Sequence, residues 1–128
     1  MRDRPDADQL IAAVAAFLRD ELLPRLDGRV AFHARVAANA LDIVRRELAA
    51  APAAEAAELD RLRILLGRDG TLEMLNRELC AGIADGNLTL ATPALADHLW
   101  AVTLAKLAVD QPTYSGYRKA LEGDDLGL

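Results

Sequence analysis

The stretch VAFHARVAANALDIVRREL, residues 30–48, decides how this 128-residue chain folds. Val30, Ala34, Ala37, Leu41, Val44 and Leu48 recur at spacings of four and three, the pattern of a helix with one apolar seam. Phe32, Val36, Ala40 and Ile43 form a second apolar row beside the seam. Two rows make a face wide enough for two neighbouring helices at once. The spacing predicts a helix that starts between Pro24 and Arg29 and runs to about Ala50. Arg35, Asn39, Asp42 and Arg46 fall at spacings of four, three and four, so they share another side of the same helix. The ordinary expectation for them is a solvated face in which Asn39, Asp42 and Arg46 pair locally, each exposed pair contributing ~0.2–0.5 kcal/mol. A ligand site, or a polar residue that pins helix register, are the alternatives. His33 stands at the edge of the apolar face, where histidine is more often a packing residue than a catalyst.

Composition extends the helical expectation to the whole chain. Hydrophobic residues make up 52% and aromatics only 4%, while alanine fills 26 positions. Alanine is the strongest helix former, whereas strands favour β-branched and aromatic residues. An all-α fold follows: a single five-helix bundle over residues 1–128 with antiparallel neighbours and no sheet, the segment 110–128 being a short last turn or a loose tail. The net charge of −5 and the scattered basic residues argue against a nucleic-acid partner. LIAAVAAFL at 10–18 has the length of a secretory core, but Asp3, Asp6 and Asp8 precede it and Arg19, Asp20 and Glu21 follow it. No stretch reaches the ~20 apolar residues of a membrane span. Lone Cys80 fits a reducing compartment, and the expected setting is cytoplasmic. Its place after Leu79 in an apolar stretch leads one to expect a buried, inert thiol.

The remaining helices follow from their punctuation. Helix one should run from Pro5–Asp6 to Leu22 with Leu10, Val14, Phe17 or Leu18, and Leu22 inward, and Pro24 should break it. AAAPAAEAAE at 49–58 contains Pro52 and no large apolar residue, which predicts a turn into a third helix from Ala53 to Leu66. Gly67 and Gly70 end that helix. Thr71 caps a fourth with Leu72, Leu75, Leu79 and Ile83 on one face, in which Gly82 would admit a close helix crossing. Thr92 and Pro93 should cap and start helix five, which is apolar nearly all round between Ala94 and Val109 and is therefore expected at the centre of the bundle.

The chain lacks a phosphate loop, a nucleophile elbow, a calcium loop and a zinc-finger spacing, so no catalytic residue, metal or cofactor is expected. The residues with chemistry to offer a ligand or partner are His33, Arg35, Asn39, Asn76, Asp97, His98 and Lys106. Should helices two and five be neighbours, His33, His98 and Asp97 would supply two nitrogens and a carboxylate, yet no His-x-x-x-His or Glu-x-x-His pair supports a metal. Lys106 on an apolar helix must reach water or pair with a carboxylate such as Asp110. Asn76 reads as a surface or helix-contact residue.

Three segments carry a family resemblance: RPDADQLIAAVAAFLRDELLPRLDGRVAFHARVAANAL at 4–41, LNRELCAGI at 75–83 and AKLAVDQPTY at 105–114. In them the chain resembles an uncharacterised bacterial family of small helical proteins encoded beside, or fused to, aminoglycoside-phosphotransferase-like kinases. Gln111 and Thr113 stand where that pattern has Asn and Arg. The resemblance implies a helical fold and a kinase-like partner and assigns no catalytic residue. Two functions follow as expectations. One is a non-catalytic interaction module for a phosphotransferase-like protein or a second copy of itself. The other is a small-molecule or catalytic bundle in which His33, Arg35 and Asn39 face Asp97, His98 and Lys106.

Overall fold

A computed structural model describes residues 3–123. These residues form five α-helices and no strand. They divide into two compact units, Met1–Ala50 and Ala51–Leu128.

In the first unit, α1 (Ala7–Ala16) continues as a wide π-type segment, Phe17–Leu22, and a 3-10 turn, Leu23–Arg25. Pro5 lies outside the helix. Asp6 is the cap instead: it accepts from the Gln9 amide at 2.9 Å while the Gln9 side chain accepts from its own amide, a reciprocal box. In a regular helix the Pro24 ring would run into the carbonyl of Asp20, and the turn ahead of it is wound wide. Leu26 is extended and Gly28 has φ +56°, so the chain doubles back here. α2 (Gly28–Leu66) then runs for 39 residues.

The predicted turn at 49–58 does not exist. Helices two and three are one helix, with Pro52 inside it. Pro52 lacks the N–H that would bond to the carbonyl of Leu48, and a proline at such a position costs ~3 kcal/mol. The residues around it are alanines, the best helix formers, and they carry the helix through.

In the second unit, Gly67 takes φ +67° and ends α2 as expected. Thr71 caps α3 (Leu72–Ala84) by accepting from the Met74 amide at 3.2 Å. Leu62, Leu75, Leu79 and Leu95 form the buried core, with Leu59, Leu65, Leu66, Leu72 and Leu88 packed against it. Gly82 does admit a close approach, but by a loop side chain: a Cβ there would lie 2.7 Å from Cδ1 of Leu88. α4 (Leu95–Asp110) starts later than predicted. Thr92 does not cap it, because its hydroxyl accepts from the amide of Thr89, and Ala94 enters the helix with φ +69°. Ser115–Glu122 is an eight-residue helix, α5, where a last turn or a tail was expected; residues 124–128 of that segment lie outside the described residues. No helix is long and apolar enough to cross a membrane among the described residues.

Candidate functional site

His98 is the one polar residue buried among the described residues, 2% exposed on the core side of α4. Leu95 and His98 are one turn apart, so the face that contributes Leu95 to the core carries the imidazole in with it. Arg61 donates from Nε to His98 Nδ1 at 3.1 Å. With Nδ1 accepting, the neutral ring carries its proton on Nε2, and that atom is buried without a partner. Asn76, on α3, donates to Glu58 Oε1 at 3.1 Å. Burial, and then the Arg61 guanidinium, hold the His98 pKa below the ordinary imidazole value, while Glu58 acts in the opposite direction. Glu58, Arg61, Asn76 and His98 thus form one polar cluster at the edge of the leucine core. It is a fixed base–cation contact with a buried donor, fit to keep a histidine neutral or to receive one acceptor atom.

The sequence pointed to Asn76 and His98 and missed Glu58 and Arg61. The signal was present: Glu58 is four positions before Leu62, and Arg61 four before Leu65, so both lie on the apolar side of their helix. Asp97 and Lys106 are exposed and do not join His98. Cys80 is exposed as well, against the expectation of burial, because it lies a hundred degrees round the helix from Leu79.

The other candidates lie in the first unit. Arg19, from the wide segment after α1, donates from Nη2 to Asn39 at 2.9 Å and to Asp42 at 2.5 Å. Asn39 and Asp42 are therefore joined through Arg19 across two helices, and Arg46, which the sequence grouped with them, also acts on the Asp42 carboxylate. Arg19 holds the Asp42 carboxyl below the usual carboxylate range, and Arg45, bonded to Asp8 at 2.9 Å, does the same for Asp8. A shallow cavity of about 350 Å³ opens beside that second pair, lined by Asp6, Ala7, Asp8, Arg45, Leu48 and Ala49. His33 and Arg35 are exposed. The His33 ring meets Phe32 edge to face, centroids 5.6 Å apart, and its Nε2 accepts from Arg29 at 3.3 Å. No three His, Cys, Asp or Glu side chains among the described residues come together as a metal site would require.

The apolar rows of α2 are in large part at the surface of this unit. Val30, Phe32, Val36, Val44 and Leu48 are all exposed, as are Leu10, Val14 and Phe17 on the first helix. The family described as a domain of unknown function, DUF6285, matches residues 24–114, well over half of the chain. No curated protein and no solved structure matches the chain.

Proposed function

We propose that the chain, which belongs to the DUF6285 family of domains of unknown function, works by binding another protein and not by chemistry of its own side chains. The observation that carries this reading is the exposed double apolar row of α2, with Phe32 57% and Val30 61% accessible. A monomeric soluble protein rarely exposes a contiguous apolar patch beyond a few hundred Å² unless the patch binds something. The second unit offers a smaller surface of the same kind. Trp100 and Leu99 are exposed on α4, a helix apolar nearly all round, and a partner laid over them would make that helix the centre of an assembled, antiparallel bundle. The resemblance to neighbours of aminoglycoside-type kinases makes a phosphotransferase-like protein the partner for this surface. It also sets the chain in the bacterial cytoplasm, where a single cysteine stays reduced. Co-expression with such a kinase is the test: a complex at micromolar concentration that Trp100→Glu disrupts supports the assignment. No complex and no change in kinase turnover would remove that partner.

A second reading, a small-molecule bundle, is favoured by one atom, the buried and unpartnered Nε2 of His98. A ligand accepting from that atom would stabilise the fold by ~2.7 kcal/mol at a hundred times its dissociation constant. Thermal-shift measurements with nucleotides, acyl-CoA thioesters and divalent metals decide it. A ligand whose shift disappears in His98→Phe supports the idea, and a flat response to all three classes ends it.

A further inference from the structure

The exposed stripe of α2 reads the same in charge-complementary form from either end. Taking the residues that lie within one third of the helix circumference, the order is Arg29, Phe32, His33, Val36, Ala40, Ile43, Val44 and Glu47. Their positions are symmetric about the level of Ala38. Arg29 and Glu47 are each nine residues from it, Phe32 and Val44 six, His33 and Ile43 five, Val36 and Ala40 two. The stripe lies away from Ala38 itself, which is wholly buried. All of its members are exposed except Ile43, which is half-buried.

We infer that the stripe is the interface of a two-fold homodimer in which α2 of each chain runs antiparallel to its mate and crosses it at the level of Ala38. This inference rests on reading the chain as an association module, and it names the occupant of that face. In this register Phe32 packs on Val44 of the second copy, Val36 on its Ala40 and His33 on its Ile43, while Arg29 meets its Glu47 at both ends. A two-fold interface must be self-complementary, with each contact made twice, and a stripe that is cationic at one end, anionic at the other and apolar between satisfies that condition only in the antiparallel sense. A parallel pairing would set Arg29 on Arg29 and Glu47 on Glu47. Within one chain the two charges are eighteen residues apart, about 27 Å along a helix, so they are not each other's partners. A stable interface of standard size buries about 800 Å² on each side, and the stripe with its flanks at Val30, Ala37 and Leu48 is the exposed apolar surface that α2 offers to it. The inference also gives His33 a role. It is a packing residue that the second copy covers, and Arg29 is freed from it to meet the opposite carboxylate.

The experiment uses the full chain. Sedimentation equilibrium should give twice the 13.8 kDa of one chain at micromolar concentration. Val36→Glu, which places a carboxylate against Ala40 of the other copy, should weaken association at least ~100-fold while the helical circular-dichroism spectrum is kept. Arg29→Glu and Glu47→Arg should each weaken it about tenfold, and the doubly swapped chain should recover to within about twofold of the parent. In a Cys80→Ser background, a mixture of Val36→Cys and Ala40→Cys chains should cross-link under mild oxidation faster than either alone. A chain that is monomeric at ~100 μM overturns the inference, and so does a monomer whose melting temperature falls with Val36→Glu, since the stripe is then covered by its own chain. A dimer indifferent to Val36→Glu and to the charge swaps overturns the interface. Capture of a kinase through Trp100, on the second unit, is tested separately by Trp100→Glu.

Discussion

Between Ala7 and Leu48 the side chains removed from water are two alanines, Ala15 and Ala38, whereas between Glu58 and Asp110 they are four leucines and a histidine. The difference is energetic. Burying a leucine contributes ~1.5–3 kcal/mol, and a methyl group about 0.8. The second unit therefore draws its stability from its own core. The first has two buried alanines, a set of half-buried side chains that includes Ile11, Leu18, Leu22, Leu41 and Ile43, and two ion pairs that tie α1 and the segment after it to the start of α2. Eight of its large apolar side chains, Leu10, Val14, Phe17, Val30, Phe32, Val36, Val44 and Leu48, remain exposed. A unit built this way still has apolar surface to bury on association, and one amino-acid pattern thus serves two ends, a core in one place and a docking face in the other.

The comparison breaks first on truncation. Leu75→Ala should cost 2–5 kcal/mol in denaturant unfolding, since Leu75 is wholly buried in the leucine cluster. The same change at Leu10, about half exposed, should cost under ~1 kcal/mol when measured at concentrations too low for association. Equal losses at the two positions would mean that the first unit has a core after all. Enlarging the small residue tests the other side: Ala38→Leu should cost ~1–3 kcal/mol by overpacking, because Ala38 has no exposed surface into which the longer chain can turn.

Periodicity carried most of the fold. Rows spaced by three and four fix a helix whatever it packs against, so the helical stretches were legible from Val30 to Leu48 and from Leu72 to Leu79. Punctuation was less reliable, because a signal such as proline states a cost and not an outcome. The cost at Pro52 is offset by the alanines around it, whereas at Pro24 the turn widened and the chain reversed. Thr92–Pro93 has the composition of a cap, yet the Thr92 hydroxyl is engaged by Thr89 in the preceding loop. The polar cluster was half legible. His98 and Asn76 were visible as polar residues in apolar surroundings, but only the coordinates show that Arg61 and Glu58 reach them, since side-chain pairing across helices has no sequence period. The apolar rows of α2 were seen as a face for two neighbours, yet Val30, Phe32, Val36, Val44 and Leu48 stay exposed, and the first helix meets α2 on the side of Asn39, Asp42 and Arg45 instead.

Acid titration separates the units by pH, with effects smaller than those of the core substitutions. His98 is held neutral, its folded pKa lying below the 6.5 of a free imidazole. The unfolded chain takes up a proton near pH 6.5, and the folded chain does so only at lower pH. The stability that His98 contributes is thus present above pH 6.5 and is lost as the pH falls below it, levelling off once the folded ring is protonated too. Urea unfolding from pH 8 to 5 should show this loss in the parent chain and not in His98→Phe. A parent curve that is flat across this range would mean that the imidazole reaches water.

Asp42 works at the other end of the scale and in the other unit. Its folded pKa lies below the 3.8 of a free carboxyl because the Arg19 guanidinium donates to it. Its contribution is intact above pH 4 and disappears only as the pH falls below that value. Asp42→Asn should therefore cost less than ~1 kcal/mol at neutral pH, and less still in high salt, since the pair is partly exposed and screened. Because Asn39 accepts from the same guanidinium nitrogen, Arg19 keeps one partner in that variant, which sets the loss below that of Arg19→Ala. Should Asp42→Asn instead alter the curve between pH 8 and 5, where the loss from His98 falls, the two units would share one electrostatic network. The contrast between a leucine core and an ion-paired docking module would then have to be redrawn around it.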